Sequence, residues 1–219
     1  MVYCDDLLID EQDKPIRVIN RPEYSNPDGI ISDMFRCGFP VVHFKTCIKR
    51  SVFDKLGLYD ERLIVAEDYD MMRRFVKQQL KMRHLPAALY LRRLRADSLS
   101  KGFNAAKAKS HFDVIRRFTE TFTPEQLFPD VQWDKLPAEQ KTMLTKCREA
   151  LAYLGIGEQY INSKAPDYAE AAFDMACEQL DNCCKIEPAN QQVRNLREKC
   201  QSIRDKHMSN AGENIYQQV

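Results

Sequence analysis

The chain has 219 residues, 44% of them apolar and 30% charged, enough for one large soluble domain or two small ones. Its 33 Lys and Arg against 32 Asp and Glu leave a formal charge of +1, which gives no footing for a nucleic-acid or anionic-membrane surface. No apolar run approaches the eighteen or so residues of a membrane span, and with only seven Gly there is no phosphate-cradling GxGxxG or P-loop motif.

Up to about Leu94 short β-like runs alternate with turns and short helices. Val2–Ile9 reads as a strand ended by the turn-prone 10–15 segment, and Ile16–Ile19 as its return. A helix is expected over Asp28–Phe35, stopped by Gly38 and Pro40, then a half-buried strand over Val41–Ile48. Ser51 can cap a helix over Val52–Leu56 that stops at Gly57. Glu67–Leu80 is the next helix, with Met72, Phe75, Val76 and Leu80 on one face. Leu85–Leu91 reads as a strand, and its Pro86 places the start at a sheet edge.

Past Ser100 the β pattern disappears. A helix over Asn104–Phe122 leads into a linker punctuated by Pro124, Pro129 and Pro137, in which Trp133 can act as a pin. Long helices follow over Ala138–Asn162, Asp167–Lys185 and Asn190–His207, and their short connections imply antiparallel neighbours. Ser209–Val219 is polar and expected to fray.

The eight cysteines form no CxxC pair and no Cys/His ligand set, so zinc is not expected. With core or helical contexts and no signal peptide before them, they point to a reducing cytoplasm. His43, between two valines and Phe44, reads as a core or cleft-wall residue, with an acceptor contact as the alternative. His84 and His111 read as structural, and the vicinal Cys183-Cys184 as packing.

The densest chemistry lies at Glu67-Asp68-Tyr69-Asp70, where three carboxylates open a helix. Acids in a first turn can simply complement the helix dipole, at about 0.3–1 kcal/mol each. They can also raise one another's pKa, as a general base working near neutrality requires. Asp68 lies one turn from Met72, at the end of the apolar stripe, where it can face a cleft.

This helix start follows the turn Gly57-Leu58-Tyr59-Asp60-Glu61 and precedes the strand ending Arg93-Leu94-Arg95-Ala96-Asp97-Ser98-Leu99-Ser100. Together with Val2-Tyr3-Cys4-Asp5, these motifs resemble, in order and spacing, the acceptor-side half of family 2 (GT-A-type) glycosyltransferases. The resemblance implies an α/β fold, a partial GT-A mixed sheet with flanking helices, over residues 1–105. It implies inverting transfer of a sugar from a nucleotide-sugar donor to a glycan or protein acceptor, of the bacterial surface-glycan kind. Asp68 takes the place of the general base, Glu67, Asp70 and His43 are supporting or acceptor-binding residues, and Arg93 and Arg95 contact the donor diphosphate.

The family's donor-binding half, with its D-x-D metal site, has no counterpart in these residues. Asp5 and Asp6 come too late in the family order to be that site and read as a strand end. Arg95 stands where the family often has a metal-assisting His. No cofactor is therefore expected in this chain, a divalent metal (Mg or Mn) belonging to a longer parent protein, and the chain alone is expected to be silent. A sheet lacking its first strands would expose an edge and an apolar face, which implies a homodimer or a missing N-terminal half as partner.

Residues 106–137 form a connecting helix and linker, 138–208 an all-α hairpin region and 209–219 a polar tail. Within 138–208, Tyr153, Gly157 and Tyr160, then Tyr168, Ala171 and Ala172, then Ile186–Asn190 resemble one tetratricopeptide repeat, with Gly157 as the small contact. The competing reading is a non-enzymatic interaction scaffold built on a degenerate transferase half-fold and helical repeats.

Overall fold

A computed structural model describes residues 1–24, 27–37, 43–95, 105–162 and 165–216. The fold is mixed α and β followed by a helical region. It divides into two compact units, Met1–Gly102 with Asp113–Leu127, and Phe103–Phe112 with Phe128–Val219. No helix among the described residues is long and apolar enough to cross a membrane.

The first unit is organised around β1 (Val2–Ile9). β2 (Pro15–Ile19) returns antiparallel to its second half, and the two-residue β3 (Thr46–Cys47) pairs antiparallel with Val2 and Tyr3. β4 (Arg83–Arg93) runs parallel to β1 along its whole length. A strand has two edges, so β1 is flanked by β4 on one and by β3 then β2 on the other. The turn between β1 and β2 is held by the Asp10 carboxylate, which accepts the amides of Gln12 and Lys14 at 2.9 and 2.8 Å. Pro86 sits where the β4 register slips, between Leu85 opposite Cys4 and Ala88 opposite Asp5. A residue without an N–H is tolerated at such a bulge.

Helices supply most of the apolar core of this unit, beside Tyr3, Leu8 and Ile9 of β1. α1 (Pro27–Cys37) buries Ile30, Ile31, Met34 and Phe35; α2 (Arg50–Leu56) buries none of its residues; α3 (Glu67–Lys77) buries Tyr69, Met71, Met72, Phe75 and Val76. Past Phe112, α4 (Ala105–Thr121) adds Val114, Ile115 and Phe118, and α5 (Pro124–Leu127) adds Leu127. Phe118 stacks on Tyr69 with ring centroids 5.0 Å apart, and the Tyr69 hydroxyl donates to the Met34 carbonyl. Each such side chain contributes roughly 1.5–3 kcal/mol through burial.

The sheet keeps one apolar row open. Register places Leu7, Val18 and Leu91 side by side; Val18 and Leu91 are 50% and 61% exposed, and Leu89 on β4 is 67% exposed.

The second unit is built on α6 (Ala138–Asn162), α7 (Pro166–Ile186) and α8 (Gln191–Tyr216). Neighbours are antiparallel: Lys146 bonds Gln179 while Tyr160 meets Tyr168, and Arg197 pairs with Asp181 while Arg204 pairs with Asp174. Gly157 lets α6 approach the Phe173 ring, which a Cβ at that position would meet at 2.5 Å. Trp133 is buried and donates its indole N–H to the Phe128 carbonyl at 2.9 Å, so it pins the proline-rich segment.

Four local expectations are corrected. Val41–Ile48 is not a continuous strand where it is described: His43–Lys45 forms a 3-10 turn before β3, carrying Lys45 inward to a buried carboxylate, and 41–42 lie outside the described residues. Ser51 does not cap α2; Lys49 occupies that position without a side-chain bond, while Gly57 does end the helix, at φ 77°. α3 stops at Lys77, because Gln79 turns to φ 48°. α8 continues to Tyr216, beyond the end at His207 expected from the sequence. Gly38, Pro40, Asn104 and 217–219 lie outside the described residues.

Candidate active site

Asp68 and Asp70 share one helix start, and their surroundings differ sharply. Asp70 is 2% exposed and takes hydrogen bonds from three arginines: Arg73 Nη2 at 2.9 Å, Arg74 Nε at 2.9 Å and Arg117 Nη1 at 3.0 Å. Burial works against its charge. The hydrogen bond and charge of Arg73, with Arg117 and Arg74, outweigh that and hold the carboxyl below the usual range.

The same arginines bind the preceding turn to the helix. Arg74 donates to the carbonyls of Leu56 at 2.6 Å and Leu58 at 2.9 Å, and Arg117 reaches Asp60 at 3.2 Å. Asp60 is also held by Arg62 at 2.8 Å, and that bond leads the causes keeping its carboxyl far below the ordinary value. The Gly57–Glu61 turn and the α3 start are thus one rigid assembly. Asp70 is its anchor, so the geometry puts it to positioning work.

Asp68 has no arginine contact among the described residues. Its Oδ1 accepts the Tyr69 amide at 2.8 Å, its Oδ2 lies 3.5 Å from His43 Nδ1, and its side chain is 25% exposed. Burial, then the charge of Glu67, pushes its pKa up, and His43 and the Tyr69 amide only partly counter that. Ala66, just before the helix, is left-handed at φ 67°, and its carbonyl accepts the Asp70 amide at 2.9 Å. That conformation costs an alanine about 1–2 kcal/mol. The ring of His43 lies edge-on to Tyr59 with centroids 5.9 Å apart, and Phe53 lies 6.1 Å from Tyr59. Burial, then Asp68 and Glu67, raises the Tyr59 phenol. The result is a part-exposed carboxylate with an imidazole 3.5 Å away and an aromatic wall.

Two residues along the same 3-10 turn, Lys45 points into a second cluster. Its ammonium bonds Asp6, which also accepts from Arg21 Nη2 at 3.1 Å and Arg92 Nε at 2.8 Å. Asp6 and the Lys45 side chain are fully buried. Burial would raise the Asp6 carboxyl, but hydrogen bonds from Lys45, Arg92 and Arg21 outweigh it and bring the pKa down. Asp5 accepts the Arg21 amide at 2.8 Å and lies 2.7 Å from His84 Nε2. The pair therefore sits mid-strand and buried, which corrects the strand-end reading, and His84 has an acidic neighbour that local sequence did not disclose.

The remaining predicted residues are distributed differently. Arg93 is committed to the β1–β2 hairpin, bonding the carbonyls of Asp10 and Glu11 at 3.3 Å each and pairing with Asp13 at 2.6 Å. Arg95 is exposed two residues past β4, and 96–100, with both serines of the final motif, lie outside the described residues. Glu67 adjoins Asp68 in the chain, and its charge adds to the rise in that carboxyl's pKa. His111 is half-buried in the second unit, where it lies 2.9 Å from the Tyr160 hydroxyl.

Among the described residues no group of three or more His, Cys, Asp and Glu gathers as a metal site. Asp5 and Asp6 do not fit one, since Asp6 already receives three cations and a metal would have to displace them. No protein-family model, curated protein or solved structure matches the chain.

Proposed function

We propose that this chain carries the acceptor-activating portion of an inverting, family 2-like glycosyltransferase, with Asp68 as general base. The observation that supports this reading most is the contrast between the two aspartates. The start of α3 holds one carboxylate ionised among arginines and leaves the next, part-exposed and raised in pKa, beside His43. Such a carboxylate can take the proton from an acceptor hydroxyl as its oxygen attacks the anomeric carbon, while the bond to the diphosphate breaks on the opposite face. His43 would orient the carboxylate, and Tyr59 with Phe53 would offer a sugar ring an apolar wall. Lys45, Arg21 and Arg92 outnumber Asp5 and Asp6 on the far side of the turn, giving a net positive field that suits an anionic leaving group.

The test is sugar transfer by a protein in which this chain is joined to a donor-binding half. Asp68→Asn should lower kcat by about 10²–10⁴ while leaving donor affinity unchanged. Asp70→Asn should instead lower thermal stability. Unchanged turnover in Asp68→Asn overturns the assignment.

The scaffold reading is favoured by a different observation, the exposed Val18, Leu89 and Leu91 on the sheet. On that reading Leu89→Asp abolishes association with a partner polypeptide and Asp68→Asn is without effect.

A further inference from the structure

α7 carries a thiol toward each neighbouring helix, and each neighbour returns one. Cys183 Sγ lies 3.7 Å from Cys147 Sγ on α6, and Cys177 Sγ lies 3.2 Å from Cys200 Sγ on α8. Cys177 and Cys183 stand about 120° apart around α7 at 3.6 residues per turn, so one residue type serves both interfaces. Cysteine used only as a small apolar filler has no reason to face another cysteine, and here it does so twice in three helices. Closing either pair to the ~2.05 Å disulfide distance asks the sulfurs to approach by only about 1–2 Å.

We propose that Cys147/Cys183 and Cys177/Cys200 are two oxidisable dithiol sites, closed by a peroxide to disulfides that staple α6 to α7 and α7 to α8. The proposal is independent of the transferase reading. With hydrogen peroxide, the thiolate of one cysteine attacks a peroxide oxygen. An S–O bond forms, the O–O bond breaks, and the departing hydroxide takes up the thiol proton as water. The partner sulfur then attacks the sulfenic sulfur; S–S forms, S–O breaks and the second water leaves. Two thiols and one peroxide thus become one disulfide and two waters.

Access sets the order. Cys147 is half-buried and is the entry thiol of its pair, whereas Cys177 and Cys200 are 7% and 0% exposed. Burial pushes the Cys147 thiol up, and Cys183 and Cys200 each up to about 12. Little Cys147 or Cys183 thiolate exists at neutral pH, so that pair reacts slowly and speeds up with alkalinity. Cys184, packed against the same cluster as Cys147, is the competing partner.

The experiment treats the full folded chain with hydrogen peroxide at several pH values, blocks remaining thiols with N-ethylmaleimide and maps the peptides. A Glu-specific protease is added to trypsin, because no Lys or Arg lies between Cys177 and Cys183 whereas Glu178 does. Cys147–Cys183 should appear first, with a rate rising about tenfold per pH unit while thiolate is scarce. Cys177–Cys200 should follow, the melting temperature should rise by on the order of 10 °C, and dithiothreitol should reverse both. Cys184→Ser should leave both links in place, while Cys183→Ser should abolish the first alone; Trp133 emission reports that each variant is folded. Cys147–Cys184 links, links between chains, sulfinic acid at Cys147 beside an alkylated Cys183, or full recovery of alkylated thiols would each overturn the proposal. Mapping of the unsubstituted chain decides the matter even where a variant fails to fold.

Discussion

The two units hold their cores by different means. The sheet unit buries ionised groups, with Asp5, Asp6, Lys45 and Asp70 each 5% exposed or less. The helical unit buries rings, alanines and thiols; Phe173, Ala169, Ala172, Leu180 and Cys183 are fully buried, and Glu149 is the one buried carboxylate among its described residues. Charge pairing is directional and fails abruptly when one partner is lost, whereas apolar packing answers to volume. The sheet unit is therefore suited to holding a functional carboxylate in a fixed place, and the helical unit to fitting helix against helix. The single tryptophan, Trp133, lies in the helical unit, so its emission reads one side of this contrast.

The largest effect should come from Asp6→Ala. It leaves Lys45, Arg21 and Arg92 without their shared carboxylate, and breaking a buried pair in this way costs about 3–5 kcal/mol. Hydrogen exchange should accelerate across β1 and β4, while the Trp133 environment at neutral pH is retained. Replacing Val18 on the exposed face of the same sheet by Thr should change stability by about 0.5 kcal/mol or less. Equal losses at the two positions would show that the cluster does not hold the sheet.

Acid should separate the units next. Burial lowers His111 from 6.5 to about 4 in the folded state. Its stabilising contribution is complete above the unfolded value and is lost as pH falls from about 6.5 toward 4, amounting to on the order of 3 kcal/mol. Glu149, raised by burial, works the other way and trims this loss. In the sheet unit Asp6 and Asp70 are held down, so their contribution persists above about pH 4 and is lost only as pH falls further, through the depressed folded values. Chemical denaturation followed by Trp133 should therefore weaken between pH 6.5 and 4, before exchange in β1 and β4 responds. His111→Gln should flatten that first limb, and a flat limb in the unsubstituted chain would contradict the lowered pKa of His111.

How far the chain could be read follows the same division. Local pattern announced β1, α6 and α7 closely, because alternation and 3.6-residue spacing are properties of adjacent residues. Gly57 was legible as a helix stop, and Gly157 as a close contact, since only the missing side chain distinguishes them. The ionic core was not legible. Asp6 draws on Arg21, Lys45 and Arg92 from three separate segments, and nothing around any of them records the meeting. That unseen demand on Lys45 also broke the strand read over Val41–Ile48. At the site, Glu67 and Asp68 were visible as an acidic helix start; of the three arginines on Asp70, Arg73 and Arg74 stand at helical spacing, whereas Arg117 comes from far along the chain. The parallel pairing of β4 with β1 left no local mark either.

The smallest effect, and the one most specific to the helical unit, concerns Gly157. In an ordinary helix interior Ala is favoured over Gly by about 0.5–1 kcal/mol, so Gly157→Ala should stabilise if intrinsic propensity decides. A Cβ there would lie 2.5 and 2.8 Å from two carbons of the Phe173 ring, closer than carbon atoms approach without displacement. Phe173 is fully buried, with Cys200 bonded to its carbonyl, so the ring has little room to retreat. Overpacking typically costs about 1–3 kcal/mol, which outweighs the propensity gain and leaves a net loss of roughly 0.5–2 kcal/mol. Gly155 lies two residues earlier in the same helix, and a Cβ there would meet nothing within 4 Å. Gly155→Ala should therefore stabilise by the full propensity difference. Opposite signs at the two glycines, read by Trp133 during denaturation, would show that volume governs this interface; matching signs would show that α6 and α7 can slide apart to admit a methyl group.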